Sequence, residues 1–312
     1  MSRNQITNPS PIPQHARIAV ISPAGSIKID QISTTLDIIE SKGFKPVLGR
    51  YAQGEFNNGY SYSGTPTERL EDLNWALNDP KIDAVWATRG GYGCQHLLSG
   101  INLSGFRNKP KWYIGYSDNT VIQSYLLRKN FTSLHGQTLK TSSFGIDPNS
   151  YELIFDVLNG SKPSYLVEHH ALNRAGSAEG RLVGGNLALI YALLGTKYGF
   201  KFDDSILFIE EVGENFYALD RMITSLKLAG VFTKINGLIV GGMTTMGKEK
   251  ENKEYDGSYD SFAYQLISSY VAEFDFPVLF GFPNGHIFDN RPLIIGAECK
   301  LSVGKKSQLK FG

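Results

Sequence analysis

In the first half of the chain, short apolar runs end repeatedly on turns of glycine, serine and other small residues. RIAVIS runs into PAGS at residues 17–26, IDAVWA into TRGGYG at 82–93, KWYIG into YSDNT at 111–120, and FTSL into HGQ at 131–137. Stretches with helical spacing lie between them. Ile32, Leu36 and Ile39, with Ser33 in phase, form a stripe through Ser41 before a return strand at 44–48. Leu70, Leu73, Trp75 and Ala76 form a second, which Thr67 is expected to cap and Asp79-Pro80 to stop. Asn119 and Thr120 open a third that carries Val121, Ile122, Leu126 and Leu127. Apolar strands alternating with amphipathic helices predict a parallel sheet, with irregular loops gathered at the carboxyl edge of its strands. The glycine- and tyrosine-rich segment 51–65 has no steady period and reads as a loop near that edge.

The second half has a different texture. RLVGGN at 181–186 precedes an apolar helix at 187–194, and a strand at 205–209 ends in Glu210-Glu211. A helix at 217–229 and a strand at 236–240, ended by Gly241-Gly242, follow. The run 248–254, rich in lysine and glutamate, is expected to be a solvated loop or helix tip. A helix at 262–271, a strand at 278–280, a loop at 281–291 and strands at 293–297 and 300–303 close the chain. The expected class is therefore α/β, with an N-terminal parallel-sheet domain and a smaller mixed α/β C-terminal domain. Residues 1–15 are a flexible leader with prolines, 16–150 the first domain, 151–180 a linker and 181–312 the second domain. The segment 151–158 is a helix that ends the first domain or belongs to the link.

A chain of 312 residues is long enough for two cores, and its 41% hydrophobic residues exclude a disordered or fibrous protein. Its net charge of +1 gives no electrostatic reason to expect nucleic acid or a membrane surface as partner. Cys94 and Cys299 lack the spacing of a metal knuckle or disulfide framework and suit reduced positions in the cytoplasm. The N-terminus carries prolines and polar residues where a secretory apolar region would stand.

Ser117 sits at the end of a strand where a helix begins, an elbow that lifts a hydroxyl out of a packed sheet and puts backbone N–H groups beside it. Its other reading is a helix cap. A serine needs an imidazole to take its proton, and the imidazole needs a carboxylate to fix its tautomer. His286, in a polar Asn-Gly-His loop after a strand, has the most site-like setting among the histidines, with a structural role as the alternative. Glu210 and Glu211 end a strand on opposite faces, and alternation alone does not say which faces a site. With Ser117 in the first domain and the other two in the second, a shared site demands a cleft at the domain boundary. The N–H of Asp118 and that of Gly90 or Gly91 are candidate oxyanion donors, the glycines otherwise serving the turn alone. Arg89 can grip a substrate carboxylate or pair with an acidic neighbour. The glycine turns lack both the phosphate-loop and the dinucleotide spacing, so no cofactor is expected. His15, His96, His135 and the adjacent pair His169-His170 have no metal-ligand spacing, so no metal is expected either.

Taken together, ISPAG at 21–25, TRGGYG at 88–93, GYSD at 115–118, SLHG at 133–136, GGNL at 184–187, LFIEE at 207–211, DRM at 220–222 and GFPNGH at 281–286 resemble the serine L,D-carboxypeptidase family. That family includes muramoyltetrapeptide carboxypeptidases and the self-immunity peptidase acting on microcin C. The resemblance implies Ser117 as nucleophile, Glu210 as the residue orienting the base, and His286 as the base. It further implies an oxyanion hole from the Asp118 N–H and a glycine of the Gly90-Gly91 turn. The implied reaction is removal of terminal D-alanine from the diamino acid of a murein tetrapeptide by a cytoplasmic homodimer. The alternatives are an immunity peptidase acting on a peptidyl or aminoacyl nucleotide, and a noncatalytic ligand-binding homologue. The chain departs from the commonest family pattern at Val183, where a tryptophan is frequent, and in an expanded FPNGHIFDNRPL segment. If His286 titrates like free histidine, activity is expected to fall below roughly pH 6 to 7.

Overall fold

The computed structural model describes residues 6–140, 147–246 and 261–312. The charged run 248–254 lies outside them. The chain divides into two compact units, Met1–Ser161 and Lys162–Gly312, each with its own sheet.

In the first unit the strands are β1 (Arg17–Ile21), β2 (Lys45–Leu48), the hairpin β3 (Phe56–Asn57) and β4 (Ser61–Tyr62), β5 (Ala84–Ala87), β6 (Trp112–Gly115) and β7 (Ser133–His135). Helices α1 (Ser33–Ser41), α2 (Pro66–Asn78), α3 (Thr120–Arg128) and α4 (Pro148–Leu158) lie between and after them. The main sheet is parallel, in the order β7-β6-β5-β1-β2. Strands β5 and β6 are buried at every position, as the unbroken apolar runs require of a sheet covered on both faces. The chain leaves β1 first toward β2 and later toward β5, so the order reverses beside β1. At such a switch point the loops after neighbouring strands part and leave a crevice at the carboxyl edge. Here the turns after β1 and β5 are tied together: the Ser22 and Thr88 hydroxyls are 2.6 Å apart, and the Gly25 N–H donates to the Gly90 carbonyl at 3.3 Å.

Helix α2 starts earlier than expected because Thr65, not Thr67, caps it. The Thr65 hydroxyl accepts from the Glu68 N–H at 3.3 Å, the Glu68 carboxylate accepts from the Thr65 N–H at 2.8 Å, and Pro66 takes the first helical position. Its far end is held by Lys111, whose buried ammonium donates to the carbonyls of Leu77 at 2.6 Å and Asp79 at 2.9 Å. The segment 51–65, expected as a loop, carries the short hairpin β3-β4. The first fifteen residues are also engaged where described: Thr7 bridges Phe131, and the Ile12 N–H donates to the Leu158 carbonyl.

The second unit has β8 (Ser164–Val167), β9 (Gly176–Asn186), β10 (Ser205–Val212), β11 (Ile235–Thr244), β12 (Val278–Phe280), β13 (Leu293–Ile295), β14 (Glu298–Val303) and β15 (Ser307–Phe311). Its helices are α5 (Leu187–Leu193), α6 (Phe216–Leu228) and α7 (Ser261–Tyr270). Its seven-stranded sheet runs β12-β11-β10-β9-β14-β15-β8; the first four strands are parallel and the rest join antiparallel. Residues 151–180 thus contain most of α4, the paired strand β8 and the start of β9, rather than a plain connection.

A bulge in this sheet prepares the Glu210 position. Ile209 pairs with Val240 and Glu211 with Met243, so Glu210 on β10 faces two residues, Gly241 and Gly242, on β11. The loop after β12 settles there, with the Gly242 N–H donating to the Asn284 carbonyl at 2.9 Å.

Candidate active site

In the first unit Ser117 follows β6 with a φ of +62°, a left-handed conformation unusual for a residue with a Cβ. It is half-buried between buried neighbours, Tyr116 and Asp118. A short 3-10 turn, Ser117–Asn119, then passes into α3. This is the strained strand-to-helix elbow expected from the sequence. The glycine loop after β5 presses against it. A Cβ placed on Gly90 would stand 2.7 Å from the Ser117 Cβ, 2.9 Å from its Oγ and 3.2 Å from the Asp118 nitrogen. No side chain fits at position 90, so backbone lies directly against the serine.

Asn119 fixes that approach. Its side-chain oxygen accepts from the Tyr113 hydroxyl at 2.5 Å, and its amide donates to the carbonyls of Tyr116 at 3.0 Å and Arg89 at 3.3 Å. The peptide plane between Arg89 and Gly90 is thereby oriented, its N–H turned opposite to the carbonyl that Asn119 holds. The Asp118 carboxylate accepts from the Cys94 N–H at 2.8 Å, binding the elbow to the end of the glycine loop. Burial pushes Asp118 up to about 6, a rise checked by the hydrogen bonds from Cys94 and by the Arg69 charge.

Arg69, fully buried, joins three loops at this edge. It donates to the carbonyls of Pro23 at 2.7 Å, Gly93 at 2.9 Å and Gly64 at 3.0 Å. Arg89 is half-buried and donates to the Ser26 carbonyl at 3.0 Å; the acidic neighbour offered as its alternative partner is not found among the described residues.

In the second unit the Nδ1 of His286 lies 2.8 Å from an Oε of Glu210, which is wholly buried, while the imidazole keeps 18% exposure. Glu211 has other work. Its carboxylate accepts from the N–H of Ala188 at 2.7 Å, the N–H of Val212 at 2.8 Å and the Asn186 amide at 3.0 Å, fastening the end of β10 to the first turn of α5. The two glutamates therefore divide as strand alternation requires, with Glu210 toward the histidine. A Cβ on Gly285, whose φ is +127°, would stand 3.0 Å from the Glu210 Cβ. The absence of that Cβ lets the loop cross close enough for its neighbour to reach the carboxylate.

Burial opposes a charge on His286, but the charge and hydrogen bond of Glu210, helped by Glu211, outweigh it and raise the imidazole above its ordinary range. This corrects the expectation of free-histidine behaviour. Burial, with the Glu210 charge second, pushes Glu211 up to about 7 against its three hydrogen bonds.

The structure brings Ser117, the Asp118 nitrogen and Gly90 together in the first unit, and Glu210 with His286 in the second. Sequence reasoning missed Arg69, Asn119 and Asn186. Asn119 and Asn186 each stand at the first turn of a helix, a position that signals a cap; Arg69 lies within an amphipathic helix and carries no local signal. Among the described residues no three histidine, cysteine or acidic side chains gather as a metal site would need, and no helix is long and apolar enough to cross a membrane.

The LD-carboxypeptidase N-terminal domain matches residues 18–136 and the LD-carboxypeptidase C-terminal domain residues 179–301. A probable murein peptide carboxypeptidase of Bacillus subtilis is 30% identical over 299 residues, covering 93% of this chain and 90% of the relative. The murein tetrapeptide carboxypeptidase of Pseudomonas aeruginosa is 31% identical over 302 residues, covering 93% and 94%. The microcin C7 self-immunity protein MccF of Escherichia coli is 25% identical over 305 residues, covering 87% and 85%. Among solved structures, an inactive mutant of microcin C7 self-immunity protein MccF aligns with a TM-score of 0.84 at 22% identity over 97% of this chain and 98% of that one. The muramoyltetrapeptide carboxypeptidase of Oxalobacter formigenes aligns at 0.83 and 24% over 95% and 99%. At such identities the solved structures speak for the fold alone. The chain belongs to the LD-carboxypeptidase family and is a serine-type hydrolase.

Proposed function

We propose that this hydrolase removes the terminal D-alanine of a murein tetrapeptide by cleaving its L,D-amide bond to the diamino acid. The observation that carries the reading is Ser117 itself, a serine in left-handed backbone at the end of a buried strand, with glycine backbone pressed against it. The murein names of the relatives at 30% and 31% identity favour this substrate class over the nucleotide one.

In this reading His286 Nε2 accepts the Ser117 proton as Oγ attacks the carbonyl carbon, and Glu210 on Nδ1 holds the ring and offsets its new charge. The carbonyl oxygen gains the negative charge, received by the Asp118 N–H and an N–H of Gly90 or Gly91. Collapse breaks the C–N bond, the proton passes from His286 to the departing amine, and D-alanine leaves. Water then adds to the acyl-enzyme by the same base and frees Ser117. Arg89 receives the substrate's terminal carboxylate. No metal or cofactor is invoked. The proposal includes a cytoplasmic setting, which two buried, free cysteines suit, and a homodimer.

The test is mass-resolved hydrolysis of a defined murein tetrapeptide by wild type and Ser117→Ala, with folding verified for both. Loss of one D-alanine by wild type alone is expected. Turnover of a peptidyl or aminoacyl nucleotide but not of the tetrapeptide would replace this reading with the immunity one, and binding without turnover of either would replace it with the noncatalytic one.

A further inference from the structure

Beside the glycine loop Arg89 has a neighbour that the proposed chemistry does not use, the hydroxyl of Tyr60. The Tyr60 hydroxyl and the Arg89 Nε both lie 3.0 Å from the point where a Cβ on Gly25 would stand. On the other side, a Cβ on Gly91 would overlap the Tyr60 hydroxyl and come within 3.5 Å of Arg89 Nη2. The phenol and the guanidinium therefore share one small space, which glycines at 25 and 91 leave open. Tyr60 is held in place by its ring, edge-on to Tyr62 at 5.0 Å and to Tyr92 at 6.0 Å.

The charge at this place is unbalanced. Arg89 spends one N–H on the Ser26 carbonyl and forms no ion pair among the described residues, and the Tyr60 hydroxyl has no hydrogen-bond partner among them. Lys140 follows close by in the fold, its backbone N–H donating to the Thr88 carbonyl at 2.7 Å. Burial, and after it the Arg89 charge, lower its affinity for a proton. A half-buried guanidinium with unspent N–H groups and, beside it, a phenol with no partner among the described residues together call for an anion.

We propose that Tyr60 and Arg89 jointly bind the free α-carboxylate of the peptide's last residue, Arg89 by its guanidinium and Tyr60 by its O–H, making Tyr60 a specificity-determining residue. The inference rests on the carboxypeptidase reading and deepens it. It explains how an amide hydrolase is confined to the end of a peptide: an internal peptide bond offers no carboxylate here and leaves half-buried donors unmatched.

Calorimetry on full-length Ser117→Ala, with a tetrapeptide ending in D-alanine and the same peptide ending in D-alaninamide, reads the subsite without turnover. The carboxylate is expected to bind at least about tenfold more tightly, as a charged hydrogen-bonded contact would give. Adding Arg89→Met should abolish the preference, Tyr60→Phe should narrow it severalfold, and Arg89→Lys, which keeps the charge without the fork, should fall between wild type and Arg89→Met. Thermal melting of each variant confirms that it folds. Equal binding of the two peptides, no binding of either, a preference unchanged in both Arg89→Met and Tyr60→Phe, or equal losses for both peptides would overturn the proposal. A carboxylate preference in an enzyme that releases no D-alanine would leave the subsite standing and remove the murein reaction.

Discussion

At the scale of single residues, the left-handed backbone of Ser117 is a cost accepted for position. A residue with a Cβ is strained at φ +62°, and relief of such strain is worth about 1 kcal/mol or more, whereas glycine adopts the conformation freely. Ser117→Gly is therefore expected to raise stability in urea unfolding while abolishing hydrolysis, and Ser117→Ala, which keeps the strain, should abolish hydrolysis without that gain. A Ser117→Gly variant no more stable than Ser117→Ala would mean that the elbow stores no strain. The serine was legible because it follows an apolar run and precedes a helical stripe. The choice between Glu210 and Glu211 was not, since alternation says only that the two differ. What separates them is remote in sequence: Asn186 and the N–H of Ala188 claim Glu211, while Gly285 lets His286 reach Glu210.

Between elements, the contact that matters most is that of the loop after β5 with the elbow after β6. Parallel neighbours end side by side, so their loops meet, and only glycine at position 90 allows this separation. Gly90→Ala must push the loop away from Ser117 and the Asp118 nitrogen. Loss of one aligned oxyanion donor costs about a hundredfold or more in kcat, and a fall of that size is expected with the circular dichroism spectrum retained. Undiminished kcat would remove this loop from the proposed oxyanion hole. The elements themselves were readable where local pattern and tertiary role agree, as in β1, β5, β6 and α3. They were unreadable where pairing alone makes the strand. The first half of β9, Gly-Ser-Ala-Glu-Gly, has no apolar run and is largely exposed; it is extended because β14 lies antiparallel beside it. Strands β8 and β15 are short, alternate between buried and exposed residues, and are recognisable through their pairing with each other.

Across the whole molecule, the groups that prepare the chemistry bind protons more tightly in the folded chain than in the unfolded one, which sets activity against stability along the pH axis. In its proposed role as general base His286 must be neutral, and its raised pKa then places the acid limb of kcat/KM above the pH 6.5 of an ordinary histidine. Activity therefore rises with pH through that value. Stability runs the other way. A histidine with a raised folded pKa contributes fully below its unfolded pKa and loses that contribution as pH climbs through the folded one. Glu211, raised to about 7, acts in the same sense, because its protonated form is favoured by the fold. His96 and His170, lowered chiefly by burial, act oppositely, but their gain tails off above pH 6.5, where the unfolded imidazoles are already half neutral, and that of Lys111, lowered to about 8, develops above the window. Between pH 6.5 and 7.5 the unfolding free energy in urea should thus fall while kcat/KM rises. Glu210→Gln removes the main force that raises His286, so it should move the acid limb to lower pH, reduce kcat and flatten the fall in stability. Glu211→Gln should move the limb by less, in the same direction, and also flatten that fall. An acid limb at the same pH in wild type and Glu210→Gln would show that the titration controlling the rate is not that of His286.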